Sequence, residues 1–268
     1  MAGITETPIG NLKRVPQILN LNGTLEQYGK YRHGYPPELL KKLKEFGIGI
    51  KNQNVLDIGT SNGLFARDLA NQGCMVTGID LSTELIEQAQ QINERDQMPI
   101  KYLVGNAESL PFEDSSFEIV TAVYCWHWFN KLKVAKEVKR VLQENGKLAI
   151  INYEWVPSLS DIALHTQNLI EEFNESSKKN NDTMIYPEWV DDIYKAGFSE
   201  VETFSFDVNV NYTIESWIGR IQASPEVGGA LEEKDIELFS DRLESYLRKR
   251  AVTYFKIPYK VFAIIGKA

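Results

Sequence analysis

Val55-Leu56-Asp57-Ile58-Gly59-Thr60-Ser61-Asn62-Gly63-Leu64-Phe65-Ala66-Arg67-Asp68-Leu69-Ala70 changes its hydrophobic period within its own length. The short apolar run Val55–Ile58 predicts a strand, residues 59–63 are turn formers, and the apolar spacing from Leu64 predicts a helix. A strand that turns at once into a helix lets backbone approach a ligand closely, and Gly59 and Gly63 permit it. The plainer reading, a simple strand-to-helix turn, needs nothing more than the same glycines and Asn62.

Working outward, the same alternation repeats. Gly73 ends the first helix, Met75–Asp80 reads as a second strand, and Ser82 as the N-cap of a helix over Thr83–Gln91 with Glu84 near its start. Ile100–Val104 and Phe117–Val123 read as third and fourth strands. Val134–Leu142 reads as an amphipathic helix with Asn145-Gly146 as its stop, and Lys147–Asn152 as a fifth strand. Apolar strands alternating with helices imply a parallel α/β sheet covered on both faces. Trp189–Gly197 predicts one more helix, and Val201–Phe206 with Tyr259–Ile265 an antiparallel pair at a sheet edge. Two blocks stand outside the repeat, Trp155–Tyr186 and the largely helical Asn211–Arg250, and we read both as additions covering the ligand face. The expected organisation is one domain: residues 1–53 as N-terminal helices over the ligand, 54–152 as the binding core, and 153–268 as substrate-side additions and terminal strands.

Composition narrows the function. The 268 residues are 43% hydrophobic and 25% charged, as in an ordinary globular protein. Lys plus Arg number 29 against 37 Asp plus Glu, a net charge of -8, which argues against a nucleic-acid partner. Two cysteines and three histidines build neither a disulfide framework nor a zinc site, so no metal is expected. No basic-then-apolar leader and no spanning apolar run is present, so the expected compartment is the cytoplasm, without membrane association.

Asp80 turns the first loop toward a nucleoside. It ends the second strand 21 residues after Gly59, where a carboxylate accepts hydrogen bonds from both ribose hydroxyls. As the plainer alternative it caps the next helix, a role for which Ser82 is already available. The loop reads Gly59-x-Ser61-x-Gly63 with no third glycine two residues on, and Asp57 stands just before it. A carboxylate there would repel a pyrophosphate and suits a cationic amino group. After the third strand, Gly105-Asn106-Ala107-Glu108-Ser109-Leu110-Pro111-Phe112 offers the Asn106 side chain and the Ala107 amide to an adenine edge.

Residues 55–63, Gly78-Ile79-Asp80, 105–112 with Asp114 and Phe117, and 138–146 together resemble the ordered motifs of class I S-adenosylmethionine-dependent methyltransferases of the broad small-molecule group. The resemblance covers about 54–151. It implies a Rossmann-like sheet of strand order 3-2-1-4-5-7-6 with the last strand antiparallel, and S-adenosyl-L-methionine as cofactor. By the same resemblance Asp57, Gly59, Thr60, Ser61 and Gly63 hold the methionine portion, Asp80 the ribose, Leu81 the adenine, and Asn106 with Ala107 flank the base. Ser61 stands where the family usually has glycine, and Asn106 where aspartate is commoner.

The segment Tyr28-Gly29-Lys30-Tyr31-Arg32-His33-Gly34-Tyr35-Pro36 resembles the lead of an aconitate-methyltransferase-like subgroup, where it folds over the cofactor. Arg32 is then a partner for the methionine carboxylate, and Tyr28 and Tyr31 line the methyl-transfer channel. In Tyr124-Cys125-Trp126-His127-Trp128-Phe129, His127 is the candidate general base, against the plainer reading of a hydrogen bond to cofactor or backbone. Trp155, Tyr186, Trp189, Tyr212, Trp217 and Arg220 are expected to build the acceptor pocket, or else a partner surface. The expected function is methyl transfer to a small organic acceptor at O, N or C by in-line displacement. Its rivals are a non-catalytic S-adenosylmethionine-binding module and a nicotinamide-dependent oxidoreductase, against which the missing third glycine weighs.

Overall fold

The computed structural model describes residues 34–178, 183–250 and 253–268. Seven strands form one sheet: β1 (Asn54–Ile58), β2 (Met75–Asp80), β3 (Lys101–Val104), β4 (Phe117–Val123), β5 (Leu142–Trp155), β6 (Ser199–Thr213) and β7 (Tyr254–Lys267). Their order is β3-β2-β1-β4-β5-β7-β6. The first five strands are parallel neighbours, and β7 runs antiparallel to both β5 and β6. The α/β fold class, strand order and antiparallel last strand are those expected.

The helices are α1 (Pro37–Glu45), α2 (Leu64–Asn71), α3 (Thr83–Asp96), α4 (Lys131–Val141), α5 (Asp161–Phe173), α6 (Glu188–Lys195), α7 (Ile214–Gln222) and α8 (Glu233–Lys249). One apolar cluster joins α1, α2 and α3 to one sheet face through Leu43, Phe65, Ile86 and Val55. Another joins α4 and α6 to the opposite face through Val138, Ile193, Val120 and Leu148. Burial on both faces accounts for the near-continuous apolar reading of β1 and β4.

Ser82 caps α3 as expected, its Oγ accepting the Leu85 N–H at 3.2 Å. Three boundaries differ from the sequence reading. Helix α3 continues to Asp96, five residues past Gln91: Ile92 and Asn93 are half-buried, Asn93 Nδ2 donates to the Ile100 carbonyl at 3.2 Å, and Gln97 closes the helix in a left-handed conformation. Asn145-Gly146 is no helix stop: α4 ends at Val141, Leu142 is already extended, and residues 143–146 enter β5 through a register shift, with Asn145 at φ 63°. The terminal hairpin is far longer than Val201–Phe206 and Tyr259–Ile265, because β6 and β7 stay paired from Ser199↔Lys267 to Thr213↔Tyr254.

That length positions the substrate side. Strand β5 ends at Trp155 opposite Tyr259, whereas the β6–β7 pair continues to Thr213 and Tyr254. The two-stranded ribbon therefore projects past the carboxyl edge of the parallel strands. Its apolar residues Tyr212, Phe255 and Ile257 meet Trp217 of α7, Leu169 of α5 and Phe239 of α8 in a third cluster. The blocks outside the repeat form this helical cap.

Candidate cofactor and acceptor site

Parallel pairing brings four connections to one edge. Ile58 lies beside Ile79 and Ala122, and Asp80 beside Val104, so the turns leaving β1, β2, β3 and β4 share a crevice. Ligands of open α/β sheets bind at this edge.

The β1 turn is held from beneath. Asp57 is 2% exposed; its carboxylate accepts the Thr60 hydroxyl and the Thr121 hydroxyl, each at 2.6 Å. Thr121 is the direct neighbour of Asp57 in the β1–β4 register. Burial raises the Asp57 carboxyl to about 6 despite both hydroxyls. Asp57 thus ties the turn to the strand behind it. The Thr60 N–H donates to the Ile79 carbonyl at 3.1 Å, fastening the same turn to β2.

Asp80 organises the next contact. Its carboxylate accepts the Ser61 N–H at 2.8 Å and the Ser82 N–H at 3.0 Å. Burial raises its carboxyl, and the same backbone donors oppose the shift. Ser61 takes φ 56°, so the chain adopts here a left-handed conformation that glycine tolerates better. Gly63 is more constrained: φ is +77°, and a Cβ would overlap the Tyr102 hydroxyl. At Gly59, also at positive φ, a Cβ would stand 2.8 Å from Cys125 Sγ, so the turn after β4 packs directly on the turn after β1.

The remaining expected residues are placed as follows. Leu81 is 48% exposed beside Asp80. Ala107 is buried, whereas Asn106 is exposed and its Oδ1 accepts the Glu108 N–H at 2.8 Å in a local turn that uses one of that oxygen's two lone pairs. His127 is exposed on a short 3-10 turn, its ring 5.6 Å from that of Tyr124 and 4.5 Å from that of Trp128. Tyr28, Tyr31 and Arg32 lie outside the described residues. Asp57, Thr60, Ser61 and Asp80 come together by direct hydrogen bonds, with Gly105 joined to them through its N–H on the Asp80 carbonyl.

Sequence reasoning missed Thr121, Cys125 and Asn62. A lone threonine in an apolar strand was a signal for the first. Asn62 Oδ1 is buried and has no partner among the described residues, an acceptor in the loop that suits an ammonium donor. Helix α2 begins behind it without a capping side chain or an acidic residue in its first turn, leaving N–H groups to meet an anion. An acceptor for an ammonium, donors for a carboxylate and an acidic residue for vicinal hydroxyls are the complements of an amino-acid-bearing nucleoside. Among the described residues, no group of three or more His, Cys, Asp or Glu side chains could hold a metal, and no helix is long and apolar enough to cross a membrane.

Residues 56–150 match the methyltransferase domain family. Over 146 residues the chain is 30% identical to an uncharacterised methyltransferase of Schizosaccharomyces pombe, covering 52% of this chain and 56% of that relative. The chain spans little more than half the length of the curated relatives it matches first. In fold it is similar to the YcgJ protein of Bacillus subtilis (TM-score 0.56, 23% identity, 87% of this chain and 98% of that one). It is also similar to phosphoethanolamine N-methyltransferase 2 of Haemonchus contortus, solved with S-adenosyl-L-methionine (TM-score 0.55, 22% identity, 92% and 56%). The resemblance read from the ordered motifs is borne out for residues 56–150, which match the methyltransferase domain family, and for the fold.

Proposed function

From residues 56–150 as a methyltransferase domain of the class I fold, we propose that this chain transfers a methyl group from S-adenosyl-L-methionine to a small organic acceptor. The observation that carries the reading is the Asp80 carboxylate at the tip of β2, fastened to the Ser61 and Ser82 amides. Each carboxylate oxygen has a second lone pair, and these accept the two ribose hydroxyls. Asn62 takes the ammonium, with Asp57 holding the Gly59–Gly63 turn in shape through Thr60. Leu81 lies against the adenine, and the Ala107 amide and Asn106 border it. Tyr28 and Arg32 belong to the segment that closes over the cofactor, Arg32 on the methionine carboxylate.

When bound, the cofactor supplies a methyl carbon on a sulfonium, a good leaving group. The protein's task is then alignment, and holding the acceptor in line contributes most of the acceleration. His127, on the turn that packs against the β1 loop, removes the acceptor proton where the acceptor is an alcohol, phenol or amine. We take residues 1–268 as one domain, placed in the cytoplasm.

Titration calorimetry with S-adenosylhomocysteine and with NAD tests the cofactor; tight binding of NAD alone sinks the proposal. Labelled cofactor incubated with carboxylic acids, phenols and amines separates an enzyme from a module that binds without turnover, since only the enzyme moves label.

A further inference from the structure

Residues 105–116 join β3 to β4 without regular structure, and the adenine border lies at their start. That start closes on itself: the Ser109 N–H donates to the Asn106 carbonyl at 3.1 Å and the Glu108 N–H to Asn106 Oδ1. The Ala107 N–H between them finds no acceptor among the described residues. The rest of the loop is held by α4. Asn130, which caps that helix, and Lys133, Glu137 and Arg140 follow one another at helical spacing, which sets them along one face. Val134, Ala135, Val138 and Val141 bury the other face in the core. Every member of the polar stripe meets the loop. Glu108 accepts the Asn130 N–H at 3.3 Å and lies 3.5 Å from Lys133 Nζ, and Glu137 accepts the Leu110 N–H at 2.8 Å.

Arg140 completes the stripe and engages all three of its nitrogens. Nε and Nη2 donate to the Glu137 carboxylate at 3.0 and 2.9 Å. Nη2 also donates to the Leu110 carbonyl at 3.0 Å, and Nη1 to the Phe112 carbonyl and Asp114 Oδ1, each at 2.8 Å. The Ser115 N–H donates back to the Arg140 carbonyl at 3.0 Å. Leu110 is buried, and this one ion pair satisfies both its N–H and its C=O. The guanidinium in turn holds the Glu137 carboxyl below its ordinary value, so the acceptor is charged at pH 7. Asp114 is exposed, and an exposed pair contributes little. The two carbonyl bonds, aimed by a planar fork, set the path of the loop. A lysine ammonium is a point charge and does not span Leu110, Phe112 and Glu137 in one plane.

We propose that Arg140, locked by Glu137, is a positioning residue for the cofactor's base: it fixes residues 110–114 on α4 and thereby holds the Ala107 N–H at the adenine edge. Arg140 acts through the loop and does not touch the cofactor. Helix α4 begins directly after the turn that carries His127, so one rigid element bears both the base-reading loop and the acceptor-side turn. This role rests on the methyltransferase reading, and adds to it the residue that sets selectivity for the purine. Adenine presents a lone pair at N1, whereas hypoxanthine presents an N–H there. A fixed backbone N–H therefore accepts the first base and rejects the second, and a loosened one discriminates less.

The experiment is calorimetry with S-adenosylhomocysteine and with S-inosylhomocysteine, on the parent, Arg140→Met and Arg140→Lys, at a temperature where circular dichroism shows each folded. The parent is expected to prefer the adenosyl compound by about tenfold or more. Arg140→Met is expected to bind S-adenosylhomocysteine about tenfold more weakly, with S-inosylhomocysteine changed by less than about threefold, so that the preference collapses. Arg140→Lys is expected to fall between the two. A lowered melting temperature with the parent's preference intact overturns the proposal, because Arg140 then serves stability alone. Equal losses for the two nucleosides in Arg140→Met overturn it as well. Should Arg140→Met fail to fold, Arg140→Lys decides: a fall in preference of about threefold is expected, and an unchanged preference overturns the proposal. A parent that binds both nucleosides equally overturns this role alone. A parent that binds neither overturns the methyltransferase reading together with it.

Discussion

The β1 turn and the helical cap hold their polar groups in place in different ways. In the turn the described carboxylates are satisfied before any ligand arrives: Asp57 by Thr60 and Thr121, Asp80 by two backbone amides. In the cap, neutral polar groups satisfy one another: the Tyr212 and Tyr259 hydroxyls share a hydrogen bond, and Trp217 Nε1 donates to the Thr166 hydroxyl. The turn is therefore held in shape by hydrogen bonds to two carboxylates, and the cap by ring packing and hydrogen bonds between neutral groups. Pre-organised donors and acceptors lower the ordering cost of binding.

Substitutions in the turn are expected to act on fold and cofactor, and those in the cap on the cap alone. The largest effect is expected from Gly63→Ala, which places a Cβ on Tyr102 at positive φ. A loss of roughly 2–4 kcal/mol in urea unfolding, with cofactor affinity falling alongside, follows from strain and overpacking. Retained stability would show that the turn is softer than its geometry implies. His127→Ala is expected to lower turnover by about 10²-fold with cofactor affinity little changed; equal loss of both in kinetics and calorimetry would move His127 to cofactor packing. Asp80→Ala is expected to weaken S-adenosylhomocysteine by roughly 1–3 kcal/mol, read by calorimetry, through lost charge-assisted hydrogen bonds.

Asp57 adds a pH signature. Its folded-state value, about 6, lies above the ordinary 3.8, so the native state favours the protonated form. Its contribution to stability is full below 3.8 and is lost as pH rises through about 6. Asp57→Asn is expected to flatten the fall in unfolding free energy across that interval by up to about 3 kcal/mol. Asp68 shifts in the same direction, so the informative quantity is the difference between variant and parent. The smallest effect belongs to the cap: Trp217→Phe removes the 3.0 Å bond from Nε1 to the Thr166 hydroxyl. About 1–2 kcal/mol of stability is expected to go, with cofactor affinity unchanged. A coupled loss of cofactor binding would erase the distinction between the two regions.

Much of the turn was legible from the chain. Gly59, Gly63, Asp80 and the Ser82 cap stand close enough in sequence for spacing alone to relate them, because a strand, its turn and the next helix are contiguous. The Asn106 side chain was read as offered to a base; only the structure shows that its oxygen also accepts the Glu108 N–H, a bond a short amide readily makes to a backbone N–H two residues on. Asn145-Gly146 misled: its turn geometry serves a register shift inside β5 rather than the end of α4.

What the sequence by itself determined is the alternation of strands and helices, the order of the motifs, and the acid that follows the second strand, all consequences of local period and local spacing. Only the tertiary structure decided that Thr121 locks Asp57 across 64 residues, that Cys125 seats Gly59, and that the β6–β7 ribbon carries α7 over the open edge. Those relations depend on which strands become neighbours and in what register. Register is set by the burial of whole faces, a property of the assembled sheet that no single segment contains.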